Sequence, residues 1–142
     1  MRAPPMTPSP LSVALPPGAT GEHYRRSWAE VVAPAVAAFD PTWLLVSAGF
    51  DAHRRDPLTD LGLTSADFAD LTRDLVALVP AGRRLLFLEG GYDLQALAHS
   101  VGAVLSALVD DGAYRPEGPS SDGPGAAVID SALNIRARLA DG

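Results

Sequence analysis

The sequence contains no cysteine and no lysine, and both absences limit its chemistry. Without cysteine, disulfide bonds and thiolate metal ligands are excluded, so any metal must be held by histidine and carboxylate side chains. Because all 11 basic residues are arginine, catalysis by a lysine amine is excluded as well. The high content of Arg, Ala, Gly and Pro indicates GC-rich codon usage, and we therefore expect a bacterial source.

Long apolar runs and runs of basic residues are also missing. No stretch approaches the roughly 18 to 20 apolar residues that a membrane span needs, and the N-terminal residues lack the apolar core of a signal peptide, so a cytoplasmic location is predicted. With 17 acidic against 11 basic residues the formal net charge is −6, which argues against a groove for nucleic acid or an anionic membrane surface. Neutral or cationic partners are expected instead.

Apolar residues make up 47% of the chain, enough for one domain with its own core. Residues 1–10 carry four of the thirteen prolines and are predicted to be a disordered lead. Residues 11–15 are a possible short strand, which the Pro-Pro-Gly turn at residues 16–18 would end. Residues 22–39 show apolar side chains at intervals of three and four, typical of one helical face, and Pro34 inside this segment predicts a kink or a break.

A parallel unit of strand, helix and strand is predicted next. Residues 43–46 and 84–88 are short apolar runs, typical of strands that are buried on both faces. Between them, Thr64 is placed to cap a helix that continues to about residue 78, and Asp67 can complete a capping box. Because a right-handed crossover brings the carboxyl ends of parallel strands to one edge of the sheet, the polar residues that follow the two strands should lie together.

Two further helices, separated by a linker, are predicted after the second strand. Residues 93–109 repeat apolar side chains with helical spacing, and residues 111–125 are rich in Gly, Pro and Ser, which is typical of a linker. Residues 126–142 are predicted to form a terminal helix. The predicted buried side of the helix at residues 93–109 consists of Leu94, Leu97, Val101, Val104, Leu105 and Leu108.

Asp51 and His53 stand just beyond the first predicted strand, where ligands of open α/β sheets bind. Separated by one residue, they could both ligate a metal, although a turn or a helix cap formed by Asp51 explains the same spacing equally well. A catalytic zinc usually takes three protein ligands. The other two histidines, His23 and His99, lie on predicted helices and are interpreted as solvated surface residues.

The turn Glu-Gly-Gly-Tyr-Asp at residues 89–93 leads from the second predicted strand into a helix. Its paired glycines allow the backbone to approach a ligand closely, but the three-glycine dinucleotide fingerprint and the phosphate-loop lysine are absent, so a nucleotide site is not favoured. The phenol of Tyr92 could donate a hydrogen bond to an oxyanion. On spacing alone, a half-buried tyrosine that packs against the strand end is the favoured alternative.

Two motifs, SAGFDAHRRDPL at residues 47–58 and LFLEGGYDL at residues 86–94, resemble the zinc-dependent histone deacetylase superfamily, near its bacterial acetoin-utilization and acetylpolyamine amidohydrolase members. With the flanking Leu-Pro-Pro-Gly turn and helix, the resemblance extends over about residues 11–110. It implies an α/β fold of the arginase and deacetylase type, with three layers built around a parallel sheet. This chain would correspond to the C-terminal βαβα part of that fold.

The resemblance also implies roles for residues that match the family motifs. It makes Asp51 a zinc ligand and Tyr92 the phenol that polarises the substrate carbonyl and stabilises the tetrahedral oxyanion. It places Gly90 and Gly91 in the wall of the substrate tunnel. It places Leu58 at the position whose apolar side chain lines the acyl-lysine channel.

The chain also departs from the family pattern. It lacks the tandem His-His pair that supplies the general acid and base, and the separate strand-end Asp-x-His segment that supplies the other two zinc ligands. In this alignment His53 is not a ligand. Roughly the first two thirds of the family domain is missing, which predicts a reading frame that begins within the domain.

From these departures we expect a C-terminal deacetylase fragment that is inactive alone. The parent enzyme would use zinc to hydrolyse N-acetyl or other acyl amides of lysine or polyamines. The alternative is a non-catalytic half that docks on a separately encoded N-terminal half, or a remnant without function. Because the two strands would lie near the centre of the family's sheet, their outer edges should be uncovered and prone to association.

Overall fold

Five α-helices and two β-strands lie within the residues that the computed structural model describes, which are 10–109 and 112–140. In chain order they are α1 (Gly21–Ser27), a π-helical turn (Trp28–Val32), α2 (Ala33–Phe39), β1 (Leu44–Ala48), α3 (Ser65–Val76), a 3₁₀ turn (Ala81–Arg83), β2 (Arg84–Leu88), α4 (Leu94–Val109) and α5 (Ala126–Ala140). Apart from Pro10, which is exposed, the predicted disordered lead falls outside these ranges. No helix among the described residues is both long and apolar enough to cross a membrane.

The two strands form the parallel pair that the sequence predicts. β1 and β2 are hydrogen-bonded in register from Leu44 opposite Arg84 to Ala48 opposite Leu88. Helix α3 connects the strands and packs against α4. The α/β class and the βαβα order are therefore confirmed, and β2 has the predicted bounds.

The prediction that both strands are buried on both faces is wrong. Val46 and Leu86 point toward the helices and are partly buried, whereas Leu45, Leu85 and Phe87 point the other way and are exposed. The reason is that α3 and α4 cover one face of the sheet, and no described element covers the other. Each strand also has one edge without a strand partner among the described residues.

The apolar core sits between the sheet and the two helices that cover it. Phe50, Leu63, Phe68 and Val104 form its buried cluster. The rings of Phe50 and Phe68 meet edge to face with centroids 5.0 Å apart, a favourable geometry for aromatic pairs. Because Phe50 lies in the loop that follows β1, the core holds this loop as well as the helices.

The face of α4 differs from the prediction at two leucines. Leu94 and Leu105 are exposed, and the buried positions are taken largely by small side chains such as Ala96, Ser100 and Ala103. Small residues let α4 approach α3 closely, so the helix turns this side inward and leaves some of its leucines outside. Hydrophobic spacing thus predicted the helix and most of its buried side, Leu97, Val101, Val104 and Leu108, but not the exposure of Leu94 and Leu105.

The kink expected at Pro34 is a π-helical turn that directly precedes α2. The N–H of Ala33 donates to the carbonyl of Trp28, five residues earlier. Proline lacks an N–H and its ring clashes with the carbonyl four residues before it in an α-helix. The wider turn immediately upstream accommodates the ring, so the helical path continues through the proline.

Residues 11–15 do not form the predicted strand. Their backbone shows a tight turn in which the N–H of Leu15 donates to the carbonyl of Val13 at 3.1 Å, and no described strand pairs with them. The Pro-Pro-Gly turn that follows is present, with Gly18 at a positive φ of 82°. Its N–H donates to the carbonyl of Asp60, which fixes the turn against the loop after β1.

The carboxylate of Asp67 joins α1, α3 and the segment after α4. It is fully buried and completes the predicted capping box by accepting the N–H of Thr64 at 2.8 Å. It also accepts hydrogen bonds from the guanidinium of Arg25 in α1 and from the hydroxyl of Ser120 at 2.6 Å. Ser120 lies within the predicted linker, whose described residues 112–125 are therefore tied to the two helices.

Helix α5 occupies Ala126–Ala140 and packs on α1 and the π-helical turn. Its Ile129 is fully buried. Arg26 in α1 forms an ion pair with Asp130 at 2.7 Å, and Arg136 donates to the carbonyl of Val31 at 2.8 Å. The C-terminal part of the described chain is thus attached to its first helix.

Replacing Asp67 should destabilise the chain strongly. We expect Asp67→Ala to lower the free energy of unfolding by about 3 to 5 kcal/mol, because Arg25 and several buried donors lose their acceptor. Urea unfolding followed by circular dichroism measures this change. Asp74→Ala, at an exposed position of the same helix, is the matched control and should change stability by less than about 0.5 kcal/mol. Equal losses in the two variants would contradict the role assigned to Asp67.

Candidate functional site

The loops that follow β1 and β2 are hydrogen-bonded to each other just beyond the strand ends. The N–H of Phe50 donates to the carbonyl of Gly90 at 2.8 Å, and the N–H of Glu89 donates to the carbonyl of Ala48 at 3.1 Å. The two polar clusters that the sequence places after the strands are therefore neighbours. This is the edge at which open α/β sheets bind ligands.

Asp51 lies between glycines from both loops. A Cβ atom on Gly49 would stand 2.8 Å from Asp51 Oδ1, and one on Gly90 would stand 3.2 Å from its Cγ. The missing side chains leave the carboxylate the space that it occupies. No hydrogen bond joins this carboxylate to another residue in the part of the chain that the structure describes, so it remains an available anionic ligand.

Tyr92 and Leu58 present open side chains on the two loops. Tyr92 is 56% exposed and Leu58 is 69% exposed. Gly91, just before the tyrosine, has a φ of 127°, and a Cβ there would approach both Leu97 and Phe50 to 3.0 Å. Glycine is required at this position because both the backbone conformation and the space exclude a side chain.

A buried aspartate, Asp56, connects Leu58 and Tyr92, and the sequence motifs did not predict it as a site residue. Asp56 accepts the N–H of Leu58 at 2.8 Å through Oδ1 and the N–H of Tyr92 at 2.8 Å through Oδ2. The Asp-Pro pair in the motif signals a turn, and this signal could have identified the contact with Leu58. The contact with Tyr92 has no local signal.

His53 is a buried structural residue, only 1% exposed. Its Nδ1 accepts the N–H of Arg55 at 3.1 Å, so Nε2 carries the proton and donates to Glu117 at 2.9 Å. Its ring also stacks on Phe68. Since both nitrogens have protein partners, the hypothesis of a metal pair with Asp51 loses its support.

The prediction that His23 lies on the surface is wrong, because this side chain is only 7% exposed. Its ring lies against Gly125, where a Cβ would stand 2.6 Å from Cδ2. The segment before α5 folds back over α1 and covers the histidine. His99, on α4, is partly buried.

Glu117 is a second residue that the sequence analysis missed, because a single glutamate in a Gly- and Pro-rich segment has no recognisable pattern. Burial by itself would raise the pKa of this carboxyl. Hydrogen bonds from the N–H of Ser65, at 2.9 Å, and from His53 outweigh burial and lower the pKa to about 2. The segment after α4 therefore carries an ionised group that supports the loop of the candidate site.

Tyr24, in α1, lies near Asp51. Its phenol has a raised pKa, first because it is buried and second because of the negative charge of Asp51. Both residues line a cavity of about 360 Å³ between β1 and α3, together with apolar side chains such as Val46, Leu71 and Leu75. The carboxylate of Asp51 thus borders a largely apolar cavity.

The described residues do not form a complete metal site. No group of three or more His, Asp or Glu side chains is arranged to hold a metal within residues 10–109 and 112–140. A catalytic zinc usually takes three protein ligands. Asp51 can supply one of them, and the remaining ligands would have to come from elsewhere.

Residues 7–108 match the family described as the histone deacetylase domain. The match covers most of the chain, including both strands and the loops that carry Asp51 and Tyr92. The chain belongs to the histone deacetylase family. The resemblance seen in the two motifs is therefore confirmed, and so is the assignment to the deacetylase fold.

Several members of the family are similar to this chain over most of its length. The chloroplastic histone deacetylase 14 of Arabidopsis thaliana is 38% identical over 110 residues, which are 75% of this chain and 26% of that protein. A probable deacetylase of Archaeoglobus fulgidus is 34% identical, over 75% of this chain and 33% of that protein. The polyamine deacetylase HDAC10 of Homo sapiens is 36% identical, over 82% of this chain and 17% of that protein.

The solved structure of the HDA15 HD domain has the same arrangement. It superposes with a TM-score of 0.76 at 33% identity and covers 91% of this chain and 35% of the solved chain. The chain thus spans about a third or less of the relatives that it matches. It therefore corresponds to a portion of the deacetylase domain.

Glu117 should make the stability of this deacetylase portion depend on acid pH. Its pKa of about 2 in the folded chain lies below its ordinary value of 4.5, so the ionised form stabilises the fold above pH 4.5. This contribution, on the order of 3 kcal/mol, is lost as the pH falls from 4.5 through about 2. We expect Glu117→Gln to be less stable at pH 7 and to lose less stability on acidification, as measured by urea unfolding at several pH values.

Glu30→Gln removes an exposed ion pair with Arg26 and serves as the control. It should lower stability by less than about 1 kcal/mol and keep the pH profile of the unaltered chain. If Glu117→Gln and Glu30→Gln gave the same profile, the acid dependence would not come from Glu117.

Proposed function

We propose that this chain contributes two groups to a zinc-dependent deacetylase site, Asp51 as one zinc ligand and Tyr92 as the phenol that acts on the substrate carbonyl. The observation that carries the proposal is their placement on adjacent, hydrogen-bonded loops at the ends of two parallel strands. The carboxylate of Asp51 is not engaged by a described residue, and the ring of Tyr92 is open to a ligand. Leu58, Gly90 and Gly91 line the substrate channel in this proposal.

The reaction proposed for the complete domain is hydrolysis of N-acetyl or related acyl amides of lysine or polyamines. Membership of the histone deacetylase family supports this reaction, and the human relative is named a polyamine deacetylase. Zinc, when bound, would polarise the carbonyl and lower the pKa of a bound water. The O–H of Tyr92 would donate a hydrogen bond to the oxygen on which negative charge develops.

We infer that the chain by itself is not a catalyst. Its described residues form no group of three or more metal-ligating side chains, and we expect the single carboxylate of Asp51 to bind zinc only weakly. A general base is also needed for the attacking water. Of the three histidines, His23 and His53 are buried and His53 is bonded at both nitrogens, while His99 lies on α4, outside the two motifs.

A second candidate function is non-catalytic docking on the remaining portion of a deacetylase domain. The outward face of the sheet, formed by Leu45, Leu85 and Phe87, favours it, because parallel sheets in α/β proteins are covered on both faces. About two thirds or more of each relative lies outside the part that this chain matches, and the unmatched part could supply this cover. This docking is compatible with the first proposal, since it would bring the missing ligands to Asp51.

The purified chain should release no acetate from an acetyl-lysine peptide or from acetylated polyamines in the presence of zinc. The reason is that the acid and base histidines and two zinc ligands are absent from the sequence. Acetate release measured by a coupled assay tests this expectation. Turnover that disappears in Tyr92→Phe would contradict it, whereas turnover that survives this substitution would indicate a contaminating enzyme. Addition of the remaining portion of the domain should restore Tyr92-dependent activity if docking occurs.

Zinc titration should reveal no tight site on the isolated chain. A single carboxylate with water as the other ligands binds zinc weakly, so calorimetry at micromolar protein is expected to show no saturable binding. Asp60→Ala, which removes an exposed carboxylate from the same loop, is the control for Asp51→Ala. One zinc per chain, bound tightly and lost in Asp51→Ala but not in Asp60→Ala, would mean that the chain holds further ligands.

A further inference from the structure

Asp56 is a buried carboxylate in the loop between β1 and α3. Its side chain is 8% exposed, and each of its oxygens accepts one backbone N–H at 2.8 Å, that of Leu58 through Oδ1 and that of Tyr92 through Oδ2. Both oxygens of Asp56 therefore have backbone partners within the protein. These contacts connect Asp56 to both loops of the candidate site.

The two hydrogen bonds differ in what they connect. The bond to Leu58 is local and forms a turn of the kind that aspartate favours two residues before the donor. The bond to Tyr92 joins residues 36 positions apart and reaches the loop that follows the other strand. One carboxylate thus sets the distance between the backbone of Tyr92 and the backbone of Leu58. Hydrogen bonds to an ionised acceptor are stronger than those between neutral groups.

The preceding residue makes a parallel but weaker connection. Arg55 forms an ion pair with Asp93 at 3.2 Å and donates to Gln95 at 3.0 Å. Asp93 in turn accepts the N–H of Ala96 at the start of α4. Since the side chain of Arg55 is 46% exposed, this pair contributes little, and the buried Asp56 is the stronger of the two side-chain links from residues 55–58 to the second loop.

We propose that Asp56 is a positioning residue that fixes the backbone of Tyr92 against the loop that carries Asp51 and Leu58. This inference rests on the proposed function, in which the phenol of Tyr92 acts on a carbonyl. It adds that this half of the site is already ordered by the chain itself, before any metal or further part of the domain is present. The chain contributes an arranged pair of loops as well as two side chains.

Amide hydrogen exchange on the full chain, resolved by NMR, tests the proposal without metal or substrate. An asparagine at this position offers one acceptor oxygen, and it still favours the local turn to Leu58. We expect Asp56→Asn to raise the exchange rate of the Tyr92 amide about tenfold, the effect of losing one charge-assisted hydrogen bond, while the Leu58 amide changes little. The ring resonances of Tyr92 should shift, and those of Tyr24 and Tyr114 should not.

Asp60→Asn in the same loop is the matched control, because its exposed side chain makes no hydrogen bond to another described residue. Local loss of protection at Tyr92 in Asp56→Asn alone supports the proposal. Faster exchange throughout the core would show that Asp56 only stabilises the fold, and unchanged exchange at Tyr92 would show that it does not hold this loop; either result overturns the proposal. Neither result bears on deacetylation, which the activity measurements decide separately.

Discussion

A fully buried carboxylate, that of Asp67, connects three parts of the chain that are distant in sequence. An ionised carboxylate without partners would cost several kcal/mol in the interior, so its burial requires donors from around it. Arg25 provides one from α1, Thr64 provides another from the start of α3, and Ser120 provides a third from the segment after α4. Gly21 leaves the necessary space, because any side chain there would overlap the carboxylate. The relative positions of these elements follow from one set of hydrogen bonds.

The segment after α4 also holds one loop of the candidate site. Glu117 precedes Ser120 by three residues and accepts hydrogen bonds from Ser65 and His53. His53 lies two residues after Asp51. The loop that carries Asp51 is therefore hydrogen-bonded to the segment after α4. The same loop is also held by the hydrogen bond that the N–H of Phe50 donates to the carbonyl of Gly90. A segment that the composition marks as a linker thereby contributes to the geometry of the site.

The described residues lack a full set of metal ligands and leave one sheet face exposed, and both features fit a chain that matches only part of each relative. Deacetylase relatives contain much more chain than this portion, and parallel sheets place site residues at the ends of successive strands. Two strands can present two such residues, and in the proposed site these are Asp51 and Tyr92. In this proposal, a strand beside β1 and a layer over Leu45 and Phe87 would come from the part of the domain that this chain does not span. That part would also supply the remaining groups of the proposed site.

Local patterns in the sequence determined the helices, both strands of the sheet and the cap at Thr64, because spacing and capping act within a few residues of one another. They also placed Asp51 and Tyr92 at neighbouring strand ends, since parallel topology follows from the order of the elements. The tertiary structure alone decided that His23 is buried, that the sheet has one exposed face, and that Asp56 and Glu117 support the site. Asp56 lies 36 residues from its partner Tyr92, and Glu117 lies 64 residues from its partner His53. A hydrogen bond between groups so far apart depends on how the elements pack, and no local pattern of residues records that packing.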